Sequence, residues 1–159
     1  MPDKTGVKRI AENRKARHEY FVIDTYECGI ELKGTEVKSL RAGAVNLKDS
    51  YATFSRDLEL FVQGMHISPY EKGNQFNHDP LRSRRLLLHK KEILKLFSVV
   101  QKDGLTLVPL SLYFIRGKVK VELGLCRGKK LYDKRESAAE RDAARDIDRA
   151  RKSRRYEED

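Results

Sequence analysis

The most regular hydrophobic pattern in the chain lies in its last third, where Val119, Val121, Leu123 and Leu125 alternate with Lys118, Lys120, Glu122 and Gly124. A period of two, with one apolar and one largely charged face, predicts a half-buried antiparallel strand over residues 118–126. Residues 105–115 predict the strand before it, with the turn at Arg116 and Gly117. Ahead of these, Ile93, Leu94, Phe97 and Val100 recur at helical spacing and Gly104 follows as a stop, so residues 90–102 predict an amphipathic helix. Toward the N-terminus the β-formers Tyr20, Val22 and Ile23 begin a strand-like region. Gly29 marks a turn, and residues 29–40 alternate loosely through Ile30, Leu32, Val37 and Leu40, with a bulge or a close backbone approach expected at Gly34 and a turn at Gly43. Asn46 is placed to cap one helical turn ending at Ser50, and residues 51–54 and 58–62 flank Ser55, Arg56 and Asp57 as a hairpin. Residues 69–85 are polar and rich in Gly, Asn and Arg, which predicts a long mobile loop before the apolar run at 86–88. Several short strands with turn punctuation and flanking helices predict a mainly β fold, an OB-type antiparallel β-barrel.

The pattern stops at Gly128. Residues 129–159 hold no further glycine or proline and little that is large and apolar, while Ala, Arg, Lys and Glu dominate. On a helix, Arg141, Arg145, Arg149 and Lys152 would form a cationic stripe and Ala139, Ala143, Ile147 and Ala150 a weak apolar one. Helix propensity is high there, but such a segment lacks a face to bury and is expected to be disordered or conditionally helical, folding on a partner. A solvated tail without a specific role is the competing reading. Three segments follow: a basic N-terminal arm at 1–17, an OB-type barrel at 18–128 and a basic C-terminal tail at 129–159.

Charge narrows the partner. The 159 residues carry 34 Lys and Arg against 24 Asp and Glu, a net charge of +10, which points to a polyanion. Nucleic acid is the default, with an anionic membrane surface as competitor. No apolar run approaches the roughly 18 residues of a spanning helix, and residues 1–17 lack the apolar stretch of a secretory signal, so a cytoplasmic protein is expected. Cys28 and Cys126 lie in strand-like sequence and read as reduced core thiols.

Catalysis finds little support. His18, His66, His78 and His89 are scattered, without metal-ligand spacing, and read as surface or RNA-facing groups. No nucleophile elbow, P-loop or dinucleotide fingerprint occurs, and Asp24, Glu27, Glu31 and Glu36 read as solvent-facing partners of basic residues. Neither cofactor nor metal is expected. Binding fares better, because basic residues recur in the arm (Lys15, Arg17), at 82–85 (Arg84), on the last strand (Lys118, Lys120) and along the tail from Lys129 and Lys130. Tyr20, Phe21, Tyr26, Tyr113 and Phe114 are expected mostly in the core. Tyr132, between Lys130 and Lys134, has no apolar neighbours to bury it and suits stacking on a base.

The segments NRKARHEYFVIDTYECGIELKGTEVKSLRAGAVNLKDSYA (13–52), DPLRSRRLLLHKKEI (79–93), LSLYF (110–114) and RGKKLYDKR (127–135) together resemble the SsrA-binding protein (small protein B) family of bacterial trans-translation. The resemblance runs nearly from end to end, and GTEVKSLRAG with GKKLYDKR makes it specific. It implies an OB-type barrel that binds the tRNA-like domain of transfer-messenger RNA and accompanies it, as a monomer in the complex, to a stalled ribosome, without enzymatic activity. Asn13, Glu27, Leu87 and Lys120 match the positions that meet that domain. Asp133, Lys134 and Arg135 match the start of a tail that folds in the vacant mRNA channel near the decoding centre, against small-subunit rRNA. An intrinsic rRNA-binding ribosomal protein with a basic tail would share the composition and is the alternative.

Overall fold

The computed structural model describes residues 6–70 and 77–129. The tail expected at 129–159 to be disordered or conditionally helical, with its cationic stripe, lies outside the described residues except for Lys129. In chain order the elements are β1 (Val7–Glu12), α1 (Arg14–Glu19), β2 (Tyr20–Ile30), α2 (Gly34–Arg41), β3 (Val45–Asn46), β4 (Tyr51–Phe54), β5 (Leu60–Gln63), β6 (His66–Ile67), β7 (Arg84–Leu87), α3 (Lys90–Asp103), β8 (Thr106–Ile115) and β9 (Lys118–Gly128).

The main sheet runs β1-β8-β4-β5-β7-β2-β9, and β9 pairs back onto β8. That last pairing closes an antiparallel barrel, as the alternation predicts, and leaves no free edge within the ring. The long β8–β9 hairpin is its spine, in register from Thr106↔Cys126 to Ile115↔Lys118. Val121, Leu123 and Leu125 turn inward from β9 and meet Leu107, Leu112, Leu60, Val62 and Leu86 in one core. Cys28 and Cys126 are buried thiols, and burial pushes their pKa values up, to about 12 and about 11.

The N-terminal segment is built into this framework. β1 pairs with the second half of β8, from Val7↔Ile115 to Glu12↔Ser111, while Leu107 in the first half of β8 pairs with Ala52 of β4. Asn13 then caps α1: its Oδ1 accepts from Ala16 N–H at 3.1 Å, and its Nδ2 donates to the carbonyls of Leu47 and Pro109 at 3.1 and 3.0 Å. α1 covers a second small core of Ala16, Val108, Leu110 and Cys126. Gly124 lies beside that core, and a Cβ there would stand 2.6 Å from Leu110 Cδ1, so the strand needs glycine where its alternation suggests a polar position.

Several expectations are corrected. Strand character over 29–40 ends at Ile30, and Gly34–Arg41 is helical because the Glu36 carboxylate accepts the Lys33 N–H at 2.7 Å at the helix start, with Leu40 and Ser39 buried. No helical turn follows Asn46; its Oδ1 accepts from Lys48 N–H, and Ser50 N–H donates to Leu47 carbonyl, closing a turn with Asp49 left-handed. On α3 the buried residues are Ile93 and Leu96, whereas Leu94 faces solvent, a one-position rotation of the predicted face. The stop at Gly104 holds, with φ +64 and its N–H donating to Val100 carbonyl.

The predicted long loop is ordered at both ends. Asn77 exchanges two hydrogen bonds with the Tyr70 backbone, and Arg84 and Arg85 belong to β7. His78, expected at the surface, is buried between the Thr35 hydroxyl and the Ile67 carbonyl, each at 2.8 Å. Glu36, expected to face solvent, is fully buried and grips two arginines: Arg84 Nε at 2.6 Å, Arg82 Nε at 2.8 Å and Arg82 Nη2 at 2.7 Å. Arg84 also donates to the carbonyls of Met65 at 2.7 Å and Pro80 at 3.0 Å. Burial alone would raise the Glu36 pKa, but hydrogen bonds from Arg82, the Lys33 N–H and Arg84 outweigh it and hold the carboxyl at about 2.

Glu36→Gln leaves a buried guanidinium without its counter-charge and is expected to cost about 3–5 kcal/mol in urea unfolding. Because the folded-state value is depressed, the carboxylate's contribution is complete above about pH 4.5 and is lost as pH falls toward about 2. The gap between wild type and variant should therefore narrow only below about pH 4.5. A gap that is constant down to pH 2 contradicts the assignment.

Candidate nucleic-acid interface

The outer face of the barrel at β2, β8 and β9 gathers part of the expected site. Tyr113 on β8 stands opposite Lys120 on β9 and, on its other side, opposite Arg9 on β1. Its hydroxyl reaches across to β2 and donates to Glu27 Oε1 at 2.8 Å. Partial burial of the ring and the Glu27 carboxylate both push the Tyr113 pKa up, so the phenol is a hydrogen donor at ordinary pH. On the next strand, Leu87 pairs with Gly29 of β2 and is 42% exposed. Lys118 closes the β8–β9 turn and is exposed. Among the described residues, neither Lys118 nor Lys120 is held in an ion pair. Glu27, Leu87, Lys118 and Lys120 thus present a carboxylate, an apolar contact and two cations on adjoining strands.

Other expected members lie elsewhere. Asn13 is buried with its amide and carbonyl committed to α1, Leu47 and Pro109. Arg84 is likewise inaccessible: its relative exposure is 0% and its guanidinium is spent on Glu36 and backbone carbonyls. Lys15 is paired with Asp49 at 2.8 Å. Arg17 bridges Glu12 at 3.3 Å and Glu122 at 3.1 Å, and Glu122 also accepts from Ser111 Oγ. Lys129 is described and lies just beyond β9. Lys130, Tyr132, Asp133, Lys134, Arg135, Arg141, Arg145, Arg149 and Lys152 lie outside the described residues.

Sequence reasoning missed the place of Tyr113 on this face and the exposure of Phe21 on β2. Tyr113 was counted with the core aromatics, although its position opposite Lys120 follows from the same alternation. Phe21, also expected in the core, is 41% exposed, and Val22 and Ile23 after it on β2 are exposed as well. Among the described residues no group of three His, Cys, Asp or Glu side chains is placed to hold a metal ion, and no helix is long and apolar enough to cross a membrane.

A closed antiparallel barrel with flanking helices and an exposed face of this composition is an OB-type barrel protein, a class whose outer strands commonly receive nucleic acid. The family model described as SmpB protein matches residues 10–153. Curated relatives named SsrA-binding protein include one from Acetivibrio thermocellus, 64% identical over 88% of this chain and 90% of its own, and one from Carboxydothermus hydrogenoformans, 59% identical over 92% and 98%. A chain in a solved structure described as "tmRNA-SmpB: a journey to the center of the bacterial ribosome" superposes with a TM-score of 0.66 at 55% identity, covering 84% of this chain and 92% of that one. The chain belongs to the SmpB family.

Replacing Glu27 by Gln removes the negative charge beside Tyr113 and should bring the phenol's titration down toward the ordinary value of about 10. NMR of ring-labelled tyrosine reports this directly. An unmoved Tyr113 titration would show that the two side chains do not pair in solution.

Proposed function

We propose that this chain is an RNA-binding protein that captures the tRNA-like domain of transfer-messenger RNA and delivers it to stalled ribosomes for trans-translation. Membership of the SmpB family over residues 10–153, whose curated relatives are named SsrA-binding protein, carries the proposal. The physical reading agrees with it. A net charge of +10 supplies a sequence-independent attraction to phosphate, and the exposed face at β2, β7 and β9 offers a place for it to act.

Within this proposal Glu27, Leu87, Lys118 and Lys120 touch the RNA. Asn13 and Arg84 act through the barrel's shape, and Lys15 and Arg17 border the face. The chain does no chemistry and works in the cytoplasm as a monomer in the complex, without a cofactor. The segment 129–159 serves the ribosome: Lys129, Lys130, Tyr132, Asp133, Lys134 and Arg135 begin it, and Arg141, Arg145, Arg149 and Lys152 meet small-subunit rRNA where mRNA is missing. Cations there replace phosphate contacts that the missing mRNA and codon–anticodon duplex would otherwise supply.

The test is release of ribosomes stalled on a truncated message by transfer-messenger RNA, with the full chain and with a chain ending before Asp133. The full chain is expected to release them and the shortened one to fail. Equal release by both refutes the role given to the tail.

A further inference from the structure

Helix α3 presents a row of cations that its own electrostatics do not favour. Lys91, Lys95 and Lys102 recur at i, i+4 and i+11 with Ser98 between them at i+7, and all four are exposed on one face. Ile93 and Leu96 are buried on the other side. Lys91 and Lys95 are like charges one turn apart, and Lys91 lies with Lys90 in the first turn, where the helix dipole repels a cation. Among the described residues none of these lysines is held in an ion pair, and Glu92, three residues before Lys95, does not pair with it. The row therefore weakens the helix without an internal ion pair in return, which leaves an external anion as its counter-charge.

The row continues the face already described. Leu87, exposed at the end of β7, precedes Lys91 by only four residues. Burial of the ring, then Asp24, then Glu92 push the Tyr26 phenol up, so the first turn of α3 lies beside β2, the strand that also carries Glu27. Farther along, Phe97 packs edge-to-face on Phe54 of β4 with ring centroids 5.2 Å apart. That contact, with the buried Ile93 and Leu96, fixes the helix against the barrel and makes the row a rigid one. At 1.5 Å per residue Lys91 and Lys102 stand about 16 Å apart along the axis, enough to follow several phosphates of one strand.

We propose that Lys91, Lys95 and Lys102 form an electrostatic extension of the RNA-binding face, a track along α3 that holds the phosphate backbone of the same tRNA-like RNA beyond its contact with the outer strands. This rests on the RNA-binding reading above. The row offers ammonium groups, which neutralise phosphate as point charges without reading a base, so it supplies affinity and not sequence preference. The occupant is the tRNA-like RNA and not ribosomal RNA, because the row starts beside Leu87 and continues the surface on which that RNA lies.

Binding of the full chain to the isolated tRNA-like RNA is measured over a range of salt for wild type and three triple variants. The first is Lys91→Ala with Lys95→Ala and Lys102→Ala, and the second replaces the same lysines by Arg. The third, Lys33→Ala with Lys38→Ala and Lys48→Ala, removes as much exposed charge from α2 and its flanks. Thermal midpoints check folding, and the α3 alanine variant should hold or gain stability once the like charges are gone. It is expected to bind about tenfold more weakly at low salt, with the salt slope lowered by about two to three. The arginine variant should keep the slope, and the α2 variant should change it by less than about one. An unchanged slope in the α3 alanine variant, with wild type binding normally, overturns the track and leaves the RNA-binding reading standing. An equal fall in the α2 variant also overturns it, because net charge and not place would then be responsible. Cosedimentation with ribosomes free of transfer-messenger RNA is the second arm. An α3 alanine variant that keeps its affinity for the tRNA-like RNA and loses it for ribosomes assigns the row to ribosomal RNA and overturns the track as well. Failure of wild type to bind the tRNA-like RNA at all overturns both readings.

Discussion

One buried carboxylate holds the barrel in shape. Glu36 lies at the start of α2 with no exposure to water, and an isolated charge in that place would be prohibitive. Arg84 and Arg82 reach it from β7 and from the turn before it, 48 and 46 residues further along the chain. Each group is satisfied several times over, with Arg84 also holding the Met65 and Pro80 carbonyls. Such a network is costly to assemble and costlier to break, so its members are constrained together. It fixes where β7 can lie between β5 and β2. That register sets Leu87 opposite Gly29, and β2 in turn carries Glu27 to Tyr113. The binding face is a downstream consequence of a cluster that it does not contain.

Local patterns made the spine of the fold legible from sequence. Alternation over residues 118–126 is a property of one strand, as is the helical period that ends at Gly104, and both survive because each predicts burial from neighbours in the chain. The α2 helix was not legible. Gly34 and Thr35 are poor helix formers, Lys33 is no side-chain cap, and the stabilising partners of Glu36 are far away in sequence. Arg82 and Arg84 misled for a related reason: an arginine-rich polar stretch ordinarily belongs in water, and only the distant carboxylate draws it inside. Asn13 shows the same limit, since its resemblance-based place on the RNA surface gives way to a cap that bonds Leu47 and Pro109. Composition pointed to a polyanionic partner. It could not separate a ribosomal protein from a ribosome-rescue factor; the extended likeness over GTEVKSLRAG and GKKLYDKR did that.

The described charges divide into two kinds. Arg9, Lys15, Arg17, Arg82, Arg84 and Arg85 are engaged with the protein's own carboxylates and serve its architecture. Lys118 and Lys120 are not, and they lie on a strand whose apolar face is the core. We propose that the outer strands of the barrel hold the RNA and that the segment after Gly128 has a different task. The most direct measurement of that division is a titration of the isolated tRNA-like domain with the full chain and with a chain ending before Asp133, at moderate salt. The account predicts affinities equal within a few fold. A shortened chain whose affinity falls by orders of magnitude would contradict it, because the RNA would then be held by the tail and not by the barrel.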